Sequence, residues 1–599
     1  MPGGQGSLRT PVWLALGLGM ASGVLVGSGG DSLAALIVGV AMGAGIVLAR
    51  RADVVGISAF ICASVVALAS SGANDGSLAT FASAVGYGAA VAVVVGGAAV
   101  ILSRGRRWSA LALGATFLLL AAGTIGGRTL PAPRLAVSGT SDGEAFAAGM
   151  TPRTLAAIDR FVRAELRRNH LPGVAFSVVA NGRLVLERGY GVAGSDRRPM
   201  TPDTPQIVAS LSKSMTAVAV ATLVEQGKIR FDAPVRTYLP WFRVADPTAS
   251  ETITVRQLLN QSSGLDSTSA WGALARTSGR SLEDEVRALR DVKLAFPPGH
   301  GYAYSNRNYQ TAGLVVQVVS GEPFGRYLEE HVLGPARMTS SFAAHFSPGP
   351  VPAASGYRGW FGVPVAMHQP FSVPATPSGS VYSTAHDLGL YLLSHLGRPD
   401  LASVSASMYA TLHRPVRGYA MGWGNVGSGA NTELIHMGHA PGATSMLVIR
   451  PAAGWGVAVI ANHQELATIT ASDLGRGLAT IMAAGPAPAV HTRTGQHLLV
   501  ALALVVVLTL LMRALSTLDR WRTRRGRWGT GLRLGWLVVS GLAVPGVVFL
   551  ALNSRASTNG GWRVALVYAP DLVVVVLVAA VAAFAVALVR AGVWVASVR

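Results

Sequence analysis

Cysteine occurs once in this chain of 599 residues, at Cys62, so no intrachain disulfide can form. Charge is scarce as well. Asp, Glu, Lys and Arg make up 13% of the residues, where ordinary globular chains have about a quarter. Lysine is rarer still, with only Lys213, Lys228 and Lys293. Acidic residues are outnumbered, and the formal net charge is +20. That excess divides unevenly. Between Arg128 and Arg476 there are 31 basic and 24 acidic residues, a balance of +7, and the rest of the chain has 18 basic against 5 acidic, or +13. Most of the positive charge thus lies outside the central region, beside apolar sequence. This argues for loops at a lipid surface and against a nucleic-acid partner.

What replaces charge is hydrophobic sequence, half of all residues, gathered at the two ends. Apolar runs at about 11–28, 33–49, 54–71, 84–103 and 109–126, and at about 496–514, 532–552 and 568–589, each suffice to cross about 30 Å of hydrocarbon. Cys62 falls inside the third run. Arg50-Arg51, the Arg104–Arg107 cluster, the Arg520–Arg527 cluster and Arg590 with Arg599 alternate with loops poor in basic residues. The positive-inside rule then predicts both termini in the cytoplasm and the middle region outside it, in a multi-pass protein of the cytoplasmic membrane. Ion pathways need ionisable groups within the bilayer. Here Asp31, Asp53 and Asp75 fall in loops and Asp571 near an outer edge, so the spans read as an anchor and not as a transporter.

Three short patches in the middle region carry chemistry. Ser210-Leu211-Ser212-Lys213 sets a lysine one helical turn after a serine, where a desolvated amine can take the hydroxyl proton. Tyr304-Ser305-Asn306 follows a Pro297-Pro298-Gly299 turn. His436-Met437-Gly438-His439 opens a strand-like stretch, in which His436 and Gly438 share one face while Met437 and His439 point away. Those opposed imidazoles, with no acidic third ligand nearby, argue against a metal pair; neither metal nor cofactor is expected. A helix from Ser210 to about Gln226, stopped by Gly227, places the serine at the positive end of the helix dipole, with Leu211, Met215 and Val218 as its buried stripe.

In that order, the three patches resemble the serine β-lactamase and penicillin-binding-protein superfamily, most of all its class C β-lactamase, D-aminopeptidase and esterase branch. The resemblance covers roughly residues 150–485, including Thr254–Leu265 and Ser378–Leu390. It implies an acyl-enzyme at Ser210, with Lys213 and Tyr304 sharing the serine proton. It also implies that Asn306 binds the substrate amide and Lys213, and that the N–H groups of Ser210 and His439 form the oxyanion hole. Tyr304 would act as a phenolate favoured by the neighbouring Lys213 cation. His436 stands where true β-lactamases have lysine, a departure shared with peptidase and esterase relatives, and is expected to bind a carboxylate or polarise Tyr304. Gly438 is expected to let substrate approach the backbone.

The pattern of elements agrees with the superfamily's α+β fold: an antiparallel sheet flanked by helices, with a helical subdomain inserted, here between two α-helical transmembrane bundles. Thr151-Pro152 caps a helix with Leu155, Ile158, Val162 and Leu166 on one face. Val174–Ala180 and Arg183–Tyr190 flank an Asn181-Gly182 turn. Further strands are expected over Arg417–Gly424, Glu433–Gly438, Thr444–Arg450 and Trp455–Asn462, then a helix over Ala471–Met482. The predicted organisation is five spans in 1–128, a linker over 129–150, the hydrolase domain over 151–484, a linker over 485–495 and three spans in 496–599. The expected partners are a small peptide, amide or ester substrate and the lipid bilayer. Two other readings stay open: a sensor that is acylated without turnover, and a pseudoenzyme that only binds cell-wall peptide.

Overall fold

A computed structural model of the chain describes residues 137–266, 280–343, 352–360, 363–367, 369, 372–464 and 470–490. The eight apolar spans lie outside these residues. Among the described residues no helix is long and apolar enough to cross a membrane.

The sheet grows from both ends of the domain. Strands β1 (Val137–Gly139), β2 (Gly173–Ala180) and β3 (Arg183–Gly191) come first, and β4 (Tyr419–Ala420), β5 (Trp423–Val426), β6 (Glu433–Ala440), β7 (Ala443–Arg450) and β8 (Trp455–Ala461) come last. Their order across the sheet is β1-β3-β2-β8-β7-β6-β5-β4, and every neighbouring pair is antiparallel. The β2–β8 pairing (Trp455 opposite Ala180, Ala461 opposite Val174) closes the two sequence-distant halves into one sheet. The β2–β3 hairpin has the expected two-residue turn, with φ of 52° at Asn181 and 70° at Gly182, the left-handed pair that a tight hairpin requires.

Both sheet faces are covered, so β2 is buried almost end to end and its alternating side chains join two different cores. Val174, Phe176 and Val178 pack with helix α1 (Pro152–Arg168) through Leu155, Ile158, Phe161 and Val162, and with helix α6 (Thr470–Met482) through Leu474 and Leu478. Ala175 and Val179 belong to the opposite core. That core includes helix α2 (Ser212–Glu225), helix α3 (Asn306–Ser320), helix α4 (Phe324–Leu328) and helix α5 (Ala385–His395). Helix α2 is buried from Ser212 to Leu223, so the narrow stripe Leu211, Met215 and Val218 understates it. A helix apolar on all sides belongs inside a domain.

Three details depart from the sequence reading. Residues Val137–Gly139 and Asp142–Ala147, expected in a linker, form an edge strand on β3 and a helix with a Ser141–Glu144 capping box. The strand expected over Arg417–Gly424 is broken into β4 and β5. At the break Gly422 has φ of 85° and a Cβ there would lie 2.4 Å from the Ser214 Cα, so the chain is pressed against helix α2. Two small sheets of three strands each, Gln206–Ile207 with Val381–Ser383 and Phe342–Ala343, and Gly356–Trp360 with Val363–Met367 and His463–Gln464, went unread. Their two- to five-residue strands offer too little periodicity.

Candidate active site

Ser210 does not begin helix α2. It sits in the middle of a tight turn, Ala209–Leu211, that leads into the helix at Ser212. Ala209 has φ of 47°, a left-handed conformation that costs a non-glycine residue about 1–2 kcal/mol. Packing holds the turn. The Val208 carbonyl accepts from Ser445 Oγ at 2.7 Å, the Ala209 carbonyl accepts from Ser212 Oγ at 2.7 Å, and the Val208 N–H donates to the Val381 carbonyl at 2.9 Å. Ser210 itself is half-buried and Lys213 behind it fully buried.

The Lys213 Nζ lies 3.1 Å from Ser210 Oγ, 2.6 Å from Asn306 Oδ1 and 2.6 Å from the Ser378 carbonyl oxygen. Burial pushes its pKa well below the ordinary lysine value. A neutral amine has two N–H donors and one lone pair. The carbonyl-type oxygens of Asn306 and Ser378 can only accept, so they take the two donors. The lone pair is left for the Ser210 hydroxyl.

Tyr304 closes the other side. Its ring centroid is 4.8 Å from Lys213 Nζ, and its hydroxyl is close enough for the Ser210 side chain to act on its pKa. Burial raises its pKa above the usual phenol value, more than Ser210 lowers it. Desolvation penalises both charged forms, so burial acts against the expected phenolate beside an ammonium and favours a neutral amine beside an intact phenol.

The loop that presents Tyr304 is built on Gln261, which sequence reasoning missed. Gln261 has φ of 61°; its carbonyl accepts from the Ala303 N–H at 3.0 Å and its Oε1 from the Ser305 N–H at 2.9 Å. Asn308 Nδ2 donates to the same Oε1 at 2.6 Å, and Ser263 Oγ donates to Asn308 Oδ1 at 2.6 Å. The stretch Thr254–Leu265 thus acts as the frame of the tyrosine loop.

His436 comes to the cleft, where its hydrogen bonds go to Tyr419 and Met437 and not to Tyr304. The His436 and Tyr304 ring centroids are 6.4 Å apart, and His436 Nε2 is instead 3.0 Å from the Tyr419 hydroxyl. Burial pushes the His436 pKa to about 3, and the Met437 carbonyl bond opposes it. At Gly438 the fold leaves no room for a side chain. Its Cβ position is already filled by the chain itself, 2.0 Å from Ser445 Oγ and 2.3 Å from the Val208 carbonyl oxygen. His439, on the opposite face of β6, is half-buried, and burial pushes its pKa to about 4. Strand β5 pairs with β6 only over Glu433–Ile435, so no described strand covers that edge of His436–Ala440.

A hydroxyl, an amine, a phenol and an imidazole from three distant stretches therefore converge in one cleft beside an antiparallel sheet, the arrangement of a penicillin-binding-protein-like serine hydrolase. The model of the Beta-lactamase family matches residues 158–480, more than half of the chain, and the chain belongs to that family. It is 25% identical over 428 residues to Protein flp of Staphylococcus aureus (strain N315), an alignment covering 69% of this chain and 85% of that protein. The octameric penicillin-binding protein homologue from Pyrococcus abyssi has the same fold. That similarity has a TM-score of 0.50 at 22% identity and covers 58% of this chain and 81% of the other.

Proposed function

We propose that this chain is a membrane-anchored serine hydrolase of the class C β-lactamase-like branch, acting outside the cytoplasmic membrane through an acyl-enzyme at Ser210. Its substrates are amides or esters, D-amino-acid peptides from cell-wall material first among them. The observation that carries the proposal is the buried Lys213 amine, with both donors occupied by Asn306 and Ser378 and the serine oxygen 3.1 Å away.

In this reading the Ser210 proton passes to Lys213 Nζ as Oγ attacks the substrate carbonyl carbon. The backbone N–H groups of Ser210 and His439 hold the oxyanion. As the tetrahedral intermediate collapses, the leaving amine or alkoxide takes the proton of the Tyr304 hydroxyl, which Lys213 replaces. Water then repeats the cycle on the ester. Tyr304 serves as a relay that begins and ends protonated.

Mass spectrometry of the full-length chain after a fluorophosphonate and a penicillin tests this. The expected result is one adduct on Ser210 from the fluorophosphonate, lost in Ser210→Ala, together with repeated release of product from an ester substrate. A stable adduct without any turnover would favour the sensor, and no adduct at all the pseudoenzyme.

A further inference from the structure

The Tyr419 hydroxyl has no part in the catalytic scheme, yet it occupies a central position. It lies 3.0 Å from His436 Nε2, while Nδ1 of the same imidazole lies 3.0 Å from the Met437 carbonyl oxygen. A carbonyl oxygen only accepts, so Nδ1 carries the proton, and the neutral ring accepts the Tyr419 O–H at Nε2. Both side chains are 5% exposed. The Tyr419 ring is also 5.8 Å from Tyr302 and 6.3 Å from Tyr304, so it belongs to the same aromatic wall as the relay tyrosine. Neither imidazole nitrogen is then free to meet a substrate. The lysine amine is no substitute, because its three contacts are to Ser210, Asn306 and Ser378.

We infer, resting on the hydrolase reading above, that Tyr419 is the charge-specificity residue of this site. By holding Nε2 of His436 it withholds the imidazole from substrate, and among D-amino-acid peptides, amides and esters the cleft prefers those whose leaving group is uncharged to those whose leaving group bears a free carboxylate. Tyr419 is a positioning residue, since it acts through His436.

The test is a matched pair of substrates, the acyl-D-alanine thioester of mercaptoacetic acid and that of mercaptoacetamide, which differ only in a carboxylate or carboxamide on the leaving group, on the full-length chain. The wild type favours the carboxamide by kcat/KM, and that preference stays flat from about pH 8 to about pH 5, because no imidazole is available to titrate against the acid. Tyr419→Phe removes only the hydroxyl. The preference then narrows by about tenfold, mainly through KM for the acid, and narrows further at the acidic end, as a freed imidazole binds carboxylate in its charged form. Adding His436→Gln restores the wild-type ratio. An unchanged ratio in Tyr419→Phe, a gain that survives His436→Gln, or a wild-type preference that titrates between pH 5 and pH 8 would each overturn the inference. Equilibrium binding of the two ligands to Ser210→Ala, with and without Tyr419→Phe, reads the same preference without turnover. Absence of hydrolysis by the wild type would count against the hydrolase reading alone.

Discussion

Gly438 and Val208 share one position in space: a Cβ on the glycine would lie 2.3 Å from the Val208 carbonyl oxygen. The same carbonyl accepts from Ser445 Oγ at 2.7 Å. Strand β6 therefore presses, bare of a side chain, on the turn that carries Ser210, and Ala209 in that turn is held in a left-handed conformation. The nucleophile is aimed by strand-to-turn contact as much as by its own helix.

A methyl group at Gly438 should displace the turn. Gly438→Ala is expected to slow fluorophosphonate labelling of Ser210 by about 100-fold and to destabilise the domain by about 1–3 kcal/mol. Labelling kinetics and a thermal melt measure the two effects. Ser445→Ala, which removes one hydrogen bond and adds no atom, should cost only about 1 kcal/mol. Wild-type labelling in Gly438→Ala would show that the turn is not held by β6.

Lys213→Met replaces a buried amine by an apolar side chain of similar shape. Acylation should fall by about 10²–10⁴-fold, the usual worth of a general base. The melting temperature should change little, because the lost desolvation penalty of the amine offsets the donor that Asn306 Oδ1 and the Ser378 carbonyl lose. A large loss of stability would mean that Lys213 is structural.

Asn306→Asp puts a carboxylate against Nζ. Opposite charge favours the ammonium, so the lysine pKa moves up and the free base appears only at higher pH. Labelling at neutral pH should drop by about tenfold or more and recover on the alkaline side. A loss that is the same at every pH would point to geometry, not charge.

Buried histidines should make the fold acid-sensitive. Burial pushes the pKa of His413 and of His439 to about 4 and that of His436 to about 3, against about 6.5 for an unfolded chain. Between those values the unfolded chain binds protons that the folded one refuses, so stability falls as the pH drops from about 6.5 towards 4, by up to about 3 kcal/mol per histidine. His413, whose Nε2 is 2.8 Å from His395 Nδ1, has no part in the catalytic scheme, so replacing it leaves the proposed proton path intact. Melting temperature against pH should be flatter in His413→Gln than in the wild type.

The membrane topology has its own test. A reporter that is active only outside the cytoplasm should be active when fused within 485–494 and silent when fused within 520–527. The opposite pattern would invert the orientation.

Elements with length and period could be read from the sequence. The amphipathic spacing of Leu155, Ile158, Val162 and Leu166, and the Asn181-Gly182 turn, each specify local structure by side chains alone, and both appear as expected. The Ser210–Lys213 contact follows from helical spacing. Much of the rest of the site rests on backbone atoms and long-range partners that leave no local signature. Ser378 and Gln261 lie in stretches that carry the family resemblance, but the resemblance does not say that the Ser378 carbonyl fixes Lys213 or that Gln261 frames the tyrosine loop. Neutrality of Lys213 depends on a burial that becomes visible only once helix α2 is enclosed on every side. The strand break at Gly422 was missed for a similar cause, since what forces it is Ser214, distant in sequence.

The rate of fluorophosphonate attachment to Ser210 across the pH range, followed by peptide mass spectrometry, tests the proton acceptor most directly. A buried, neutral Lys213 predicts that the rate levels off well before the ordinary lysine value of about 10.4 and that the plateau vanishes in Lys213→Met. A rate that keeps climbing through that value, or an adduct on any residue other than Ser210, would contradict it.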